Sequence, residues 1–263
     1  MEISRPNIDE GNGFDWGKTS EDYARYRDIY PAVFYDKIAQ MGLCIKGQSV
    51  LDIGTGTGVL PRNMYGYGAD WTGTDISDNQ IEQARILSKA QKMDIKYVVS
   101  SAEELPFESG SFDVITACQC YWYFDHKVTS KLFSELLKTQ GKVVFMLMNW
   151  LPFEDEIAKK SEELVLKYNP SWSGCGETFH PLAIPEEYNE YFDIDNTLQF
   201  RIPVAFTRET WNGRIKACRG IGASQLNEQE KEQWEKEHLL MLRQYPEKFE
   251  ILHYAAFAVL KKK

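Results

Sequence analysis

Three alternating glycines, Gly54, Gly56 and Gly58, follow the apolar run Ser49-Val50-Leu51-Asp52-Ile53 and lead into Val59-Leu60. A strand that enters a glycine-rich turn and leaves as a helix is the opening of a nucleotide-binding unit. No Lys or Arg lies between Ser49 and Pro61, so the turn lacks the Gly-Lys-Ser/Thr ending of a phosphate-binding loop. The spacing Gly54-Thr55-Gly56-Thr57-Gly58 is also not the dinucleotide pattern Gly-x-Gly-x-x-Gly. Asp52, just ahead of the first glycine, would repel a pyrophosphate and attract a cation. A second acid, Asp75, closes the next strand pattern 17 residues past Gly58. That is close to the separation of about 20 at which an acid of this fold reaches ribose hydroxyls. A carboxylate accepting from vicinal hydroxyls makes charge-assisted bonds that position a nucleoside. A nucleoside with positive charge and no phosphate fits such a loop, and S-adenosylmethionine (SAM) has that chemistry.

These residues need a sheet to hold them, and the chain alternates apolar runs with amphipathic stretches up to Trp150. Strands are expected at Ser49–Ile53, Asp70–Asp75, Ile95–Ser100, Phe112–Cys118 and Lys142–Met148. Ser77 with Gln80 three residues on is a capping-box signature for a helix running to about Ala90. A second helix is expected over Lys127–Lys138, with Gly141 where the chain leaves it. Beyond Trp150 the pattern predicts helices at Glu154–Lys167 and Glu228–Tyr245, a loop over Asn169–Gly176, and strands at Leu198–Phe206 and Glu250–Leu260. Pro203 marks the first of those strands as an edge or bulged one. The expected fold is α/β: a Rossmann-like, seven-stranded, mostly parallel sheet with helices on both faces and a lid insertion after the fifth strand. We expect one domain over 1–263, with a cofactor-binding core at 1–150, a lid or acceptor insertion at 151–197, and the last two strands and their helices at 198–263.

An ordered series of motifs resembles the class I SAM-dependent methyltransferases, in particular the small-molecule group that includes the ubiquinone/menaquinone-type enzymes. It comprises Leu51-Asp52-Ile53-Gly54-Thr55-Gly56-Thr57-Gly58, Asp75-Ile76-Ser77, Ser101-Ala102-Glu103-Glu104-Leu105-Pro106-Phe107 and Ser111-Phe112-Asp113-Val114-Ile115. The resemblance runs from about Phe14 to Trp150. It implies that Ala102 and Glu103 flank an adenine and that Gln119 lies beside the methionine moiety of SAM. The stretch Phe14–Arg27 is similar to the family's leading helix, in which a Tyr or Arg meets the SAM carboxylate. Tyr23 and Arg27, four apart, share a helix face there, and packing of that face on the sheet is the equal alternative. The implied cofactor-binding set is Tyr23, Arg27, Asp52, Gly54, Thr55, Gly56, Gly58, Asp75, Ile76, Ala102, Glu103 and Gln119.

Methyl transfer from a sulfonium is an in-line displacement, so alignment supplies most of the acceleration, and a dedicated base is needed only for an acceptor that must lose a proton early. Accordingly no catalytic residue is assigned. The acceptor is expected beyond the fourth strand, at Ala117-Cys118-Gln119-Cys120-Tyr121-Trp122-Tyr123. Asp/Asn-Pro-Pro-Tyr/Phe, the signature of exocyclic-amine methylation, is absent, and Ala117 replaces the proline of a Pro-Cys-Gln nucleophile motif. Aromatic residues there suit an apolar pocket for a compact acceptor, with at least one of them expected in the core. The substrate candidates are Tyr121, Trp122, His180 and Arg208. His126 is read as opening the Lys127 helix and His253 as packed in the last strand.

The 30 basic and 39 acidic side chains leave a charge of −9, against a nucleic-acid binder, which would show a basic face. The five cysteines (44, 118, 120, 175 and 218) contain no Cys-x-x-Cys, so neither a disulfide framework nor a metal site is expected. Convergence of Cys120, Cys175 and Cys218 on a metalloid acceptor is disfavoured by their scatter. With no membrane-length apolar run and no signal-like start at Met1–Pro6, a cytoplasmic enzyme with a small-molecule acceptor is expected. The expected product is S-adenosylhomocysteine (SAH), and the oligomeric state is left open. The alternatives are a non-catalytic SAM- or SAH-binding protein and an NAD-dependent oxidoreductase, the latter opposed by the glycine spacing and Asp52.

Overall fold

The computed structural model describes residues 3–263. In chain order its elements are α1 (Ser20–Tyr26), α2 (Ala32–Gln40), β1 (Ser49–Ile53), α3 (Val59–Met64), β2 (Asp70–Asp75), α4 (Asp78–Ala90), β3 (Lys96–Val99) and β4 (Phe112–Cys118). There follow α5 (His126–Leu136), β5 (Leu137–Trp150), α6 (Glu156–Tyr168), β6 (Phe192–Thr207), α7 (Arg208–Lys216), α8 (Glu228–Leu242) and β7 (Lys248–Lys262). The seven strands form one sheet in the order β3-β2-β1-β4-β5-β7-β6. Pairs β1/β2, β1/β4, β2/β3 and β4/β5 are parallel, which explains why β1 and β4 read as apolar runs rather than alternations. The expected seven-stranded, mostly parallel sheet is thus the observed one.

By internal contacts the chain divides into two compact units, Met1–Ile29 with Asn149–Phe179 and Arg201–Tyr254, and Tyr30–Met148 with His180–Phe200 and Ala255–Lys263. The second unit holds β1 to β4 and most of β5, with Val50, Leu51, Val114, Ile115, Val143, Val144 and Phe145 buried. The first is built on aromatic packing: Trp211 lies edge-on to Trp150 at 5.4 Å and against Phe206 at 4.9 Å. Its buried His238 contacts Asn212 Oδ1 through Nδ1 at 2.8 Å and Ser161 Oγ through Nε2 at 2.9 Å. Burial pushes that imidazole down to about 3, so it sits in the core neutral. His253 is buried likewise, as its strand pattern implied.

Helix starts follow local side-chain chemistry. Ser77 Oγ accepts the Gln80 N–H, Asp125 accepts that of Lys127, and Asn227 and Glu230 close a reciprocal capping box on α8. The largest differences from the sequence reading are three. The α5 helix stops at Leu136 and β5 begins at once, so Gly141 lies inside the strand and not at a helix exit. A Cβ at Gly141 would lie 2.8 Å from the Leu137 side chain, at a stretch where the register against β4 shifts, the place where a strand glycine is needed. The β6 strand starts at Phe192, so residues 192–197 belong to the sheet rather than to the insertion. Asp193 and Asp195 masked it, and they pair with Lys263 at 3.7 Å and Lys142 at 2.7 Å. Finally, α2 has no counterpart among the expected elements; it buries Phe34, Tyr35 and Ile38.

Candidate cofactor and acceptor site

Strand order reverses between β1 and β4, and the ends of these strands are where open α/β sheets bind ligands. The glycine turn leaves β1 at that point. Gly54 has φ +62° and Gly58 φ +75°, left-handed values that side chains other than glycine's resist. Space imposes the same demand. A Cβ on Gly54 would lie 2.7 Å from Cys120 Sγ, and one on Gly58 would overlap the Tyr97 hydroxyl. Tyr97 stands in register with Gly73 of β2, and a Cβ on Gly73 would lie 2.9 Å from its ring. The Tyr97 hydroxyl in turn is 2.9 Å from Ser88 Oγ on α4.

The turn hangs on the end of β2. Thr55 N–H donates to Thr74 O at 2.8 Å, and Gly56 N–H to Asp75 Oδ2 at 2.9 Å. The other oxygen of Asp75 accepts the Ser77 N–H at 2.9 Å. Burial raises the Asp75 carboxyl above its ordinary range, against the lowering effect of these amides. The Ile76 amide faces the carboxylate as well, which leaves acceptor capacity for a ribose hydroxyl. Ile76 beside it is exposed, Thr55 is buried, and Ala102 is buried near the end of β3.

Asp52 departs from its expected role. Its side chain is 2% exposed and turned into the sheet, where Oδ1 accepts the Thr116 hydroxyl of β4 at 2.7 Å. Burial pushes its carboxyl up to about 7. It is therefore a titrating group beneath the turn, not an open anionic surface as the spacing suggested. Glu103, which the resemblance sets beside the adenine, accepts the Asp125 N–H through Oε1 at 2.9 Å, at the start of α5.

Past β4, Gln119 adopts φ +57°, a strained value for a non-glycine residue. It is held there by its N–H to Met146 O at 2.8 Å and its Nε2 to Met148 O at 2.6 Å. Cys118 Sγ contacts the Tyr30 hydroxyl at 3.5 Å, and Cys120 Sγ contacts Ile53 O at 3.1 Å. Burial pushes the Cys120 thiol well up, helped by the charge of Asp52, so it is a packed thiol and not a nucleophile.

Of the acceptor candidates, Tyr121 is a core residue. It is 9% exposed, packs on Phe145 at 4.9 Å, and donates its hydroxyl to Ala183 O at 3.2 Å. Trp122 stacks edge-on against Tyr121 at 5.3 Å and is only half-buried. His180 is exposed, with Nδ1 2.8 Å from Pro181 O. Arg208 belongs to the other unit, where its guanidinium contacts Tyr245 O and pairs with Glu247 at 3.4 Å. Tyr23 and Arg27 also lie there and come together as their spacing predicts, with the guanidinium 4.6 Å from the ring centroid. Cys175 and Cys218 sit in that unit too; Arg214 Nη1 donates to Cys218 Sγ at 2.8 Å.

Direct hydrogen bonds therefore join the glycine turn, Asp75 and the ends of β2 and β3. The residues missed by sequence reasoning are Tyr97, Thr116 and Tyr30, which support the turn and the β4 end from neighbouring elements. Gly73 inside β2 was the one available signal, since a strand glycine marks close approach of another group.

A family of methyltransferase domains matches residues 50–141. The ubiquinone biosynthesis O-methyltransferase of Coxiella burnetii is 31% identical over 114 residues, covering 43% of this chain and 49% of that protein. The chain thus spans about half the length of such curated relatives. The enzyme of the same name from Bordetella avium is 27% identical over 187 residues, 67% of this chain and 77% of that one. Among solved structures, the YcgJ protein of Bacillus subtilis has a TM-score of 0.50 at 20% identity, covering 87% of this chain and 98% of its own. A geranyl diphosphate methyltransferase in complex with SAM also has a TM-score of 0.50, at 13% identity, covering 88% of this chain and 85% of its own. These likenesses concern the fold, and they agree with the strand order and the glycine turn described above. Residues 50–141 thus match a methyltransferase domain, and the seven-stranded sheet around them has the fold of the solved methyltransferase structures it resembles.

Proposed function

We propose that this chain transfers a methyl group from SAM to a small-molecule acceptor. The observation that carries the reading is the Asp75 carboxylate, fixed by the Gly56 and Ser77 amides beside a turn whose own residues include no cation, the buried Arg62 donating to the Thr57 carbonyl. Such a turn suits a nucleoside without phosphate, and the names of the relatives support the same chemistry. When bound, SAM supplies an electrophilic methyl group on a sulfonium. Asp75 would hold the ribose through its remaining acceptor capacity, and the glycine turn would admit the nucleoside close to the backbone. Gln119, locked by two bonds to β5, would set one wall beside the methionine part. Half-buried Trp122 is the residue we propose faces the acceptor, while Tyr121 backs it from the core. Among the described residues no helix is long and apolar enough to cross a membrane.

Calorimetry with SAM, SAH and NAD tests the cofactor reading: SAM and SAH are expected to bind and NAD to give no heat. NAD binding in the absence of SAM binding would overturn it. Transfer of labelled methyl from SAM into a panel of hydroxylated and amine small molecules tests the reaction, and SAM binding with no transfer to any member would favour a non-catalytic SAM-binding role.

A further inference from the structure

Beyond the cofactor contacts, a row of hydrogen bonds crosses the carboxyl ends of four neighbouring strands. The Gly56 amide after β1 donates to the Asp75 side chain at the end of β2 at 2.9 Å. The Asp75 carbonyl accepts the Ser100 N–H after β3 at 2.9 Å. Ser100 Oγ donates to Glu104 O at 2.8 Å, which folds the loop that presents Glu103. Glu103 Oε1 then accepts the Asp125 N–H at 2.9 Å, beyond β4.

Asp125 is the last residue of the aromatic segment and the cap of α5 at once. Its side chain accepts the Lys127 N–H at 3.1 Å, and its carbonyl accepts the Thr129 N–H at 2.9 Å and the Thr129 hydroxyl at 3.0 Å. Thr129 Oγ1 is 2.9 Å from the buried Tyr188 hydroxyl. A single carboxylate from the β3–β4 loop therefore holds the amide of the residue that joins the Tyr121–Tyr123 turn to the start of α5.

We propose that Glu103 is a positioning residue that couples cofactor occupancy to the order of residues 119–129, so that the acceptor side of the site firms up when the nucleoside side is filled. This rests on the SAM reading given above. An oxygen that accepts an amide holds it in place, and loss of that bond frees both the amide and the loop that carries it. The coupling depends on acceptance at Oε1 and not on charge, so an amide at position 103 should preserve it.

Hydrogen exchange on the full chain, with SAH as the probe at concentrations that saturate each variant, tests the proposal. In the wild type SAH is expected to slow exchange at Asp125–Thr129 as well as at Gly56 and Asp75–Ser77. In Glu103→Ala the slowing at 125–129 is expected to fall roughly tenfold while that at Gly56 persists, and Glu103→Gln is expected to behave as the wild type. Equal protection of 125–129 in Glu103→Ala would overturn the proposal, as would loss of protection in Glu103→Gln. SAH binding to the wild type without any change at 125–129 would overturn the coupling alone, leaving the cofactor reading intact. Failure of SAH to bind the wild type would overturn both.

Discussion

Replacing Asp52 by Asn should make the chain more stable at alkaline pH than the wild type, by an amount that grows with pH. Asp52 is 2% exposed, and its carboxyl is pushed by burial from 3.8 to about 7. The folded chain thus holds this proton more tightly than the unfolded one. Its stabilising contribution is complete below the unfolded value of 3.8 and drains away as pH rises to and through about 7. A rise of that size amounts to roughly 4 kcal/mol in full, of which about 2–3 kcal/mol is lost between pH 5 and pH 8. The amide of the variant cannot ionise, and its oxygen can still accept the Thr116 hydroxyl. Urea unfolding of both proteins at pH 5, 6, 7 and 8, without ligand, gives the difference in unfolding free energy directly. That difference should move by about 2–3 kcal/mol in favour of the variant across the range. A difference constant to within about 0.5 kcal/mol, well inside that span, would refute the assignment of a near-neutral carboxyl to this position.

Three further outcomes are expected. Gly58→Ala should cost about 1–3 kcal/mol from its left-handed backbone alone, with more from the Tyr97 hydroxyl, and Tyr97→Phe in the same chain should recover part of the loss in urea midpoint. No recovery would mean that the hydroxyl is not what fills the space above Gly58. Asp75→Asn should weaken SAM at least about tenfold by calorimetry, because the new amide nitrogen must face the Gly56 or Ser77 N–H; unchanged affinity would place the nucleoside elsewhere. His126 should titrate below its ordinary value through burial, opposed by the charges of Glu187, Asp125 and Glu103. Glu103→Gln should lower it further, as an NMR titration of the imidazole would show, and a rise would contradict that placement of charges.

The core of the fold was legible because parallel strands are buried on both faces and announce themselves as apolar runs. β1, β2 and β4 lie where Ser49–Ile53, Asp70–Asp75 and Phe112–Cys118 were read. The two ends of the sheet were harder. Along β6 the early residues carry exposed charges, and a strand whose acids are neutralised by Lys142 and Lys263 from other elements shows no alternation of its own. The site divides in the same way. The glycine turn and Asp75 were recognisable since their roles depend on backbone and spacing within one short stretch. The true settings of Asp52 and Glu103 were not, because each depends on a partner remote in sequence, the Thr116 hydroxyl and the Asp125 amide. Residue type indicates that a carboxylate is available; it does not indicate which way the carboxylate turns.

The tyrosine that lies under the turn has a consequence for engineering. Positions 58, 73 and 97 are spread over three elements, yet the ring at 97 occupies room that only the two glycines leave. While that ring is in place neither glycine can gain a side chain, and at 73 the Thr55 side chain closes the same space. Transplanting the glycine turn alone into another sheet would carry over its letters without its support. A working graft would have to move the strand glycine and the aromatic ring with it.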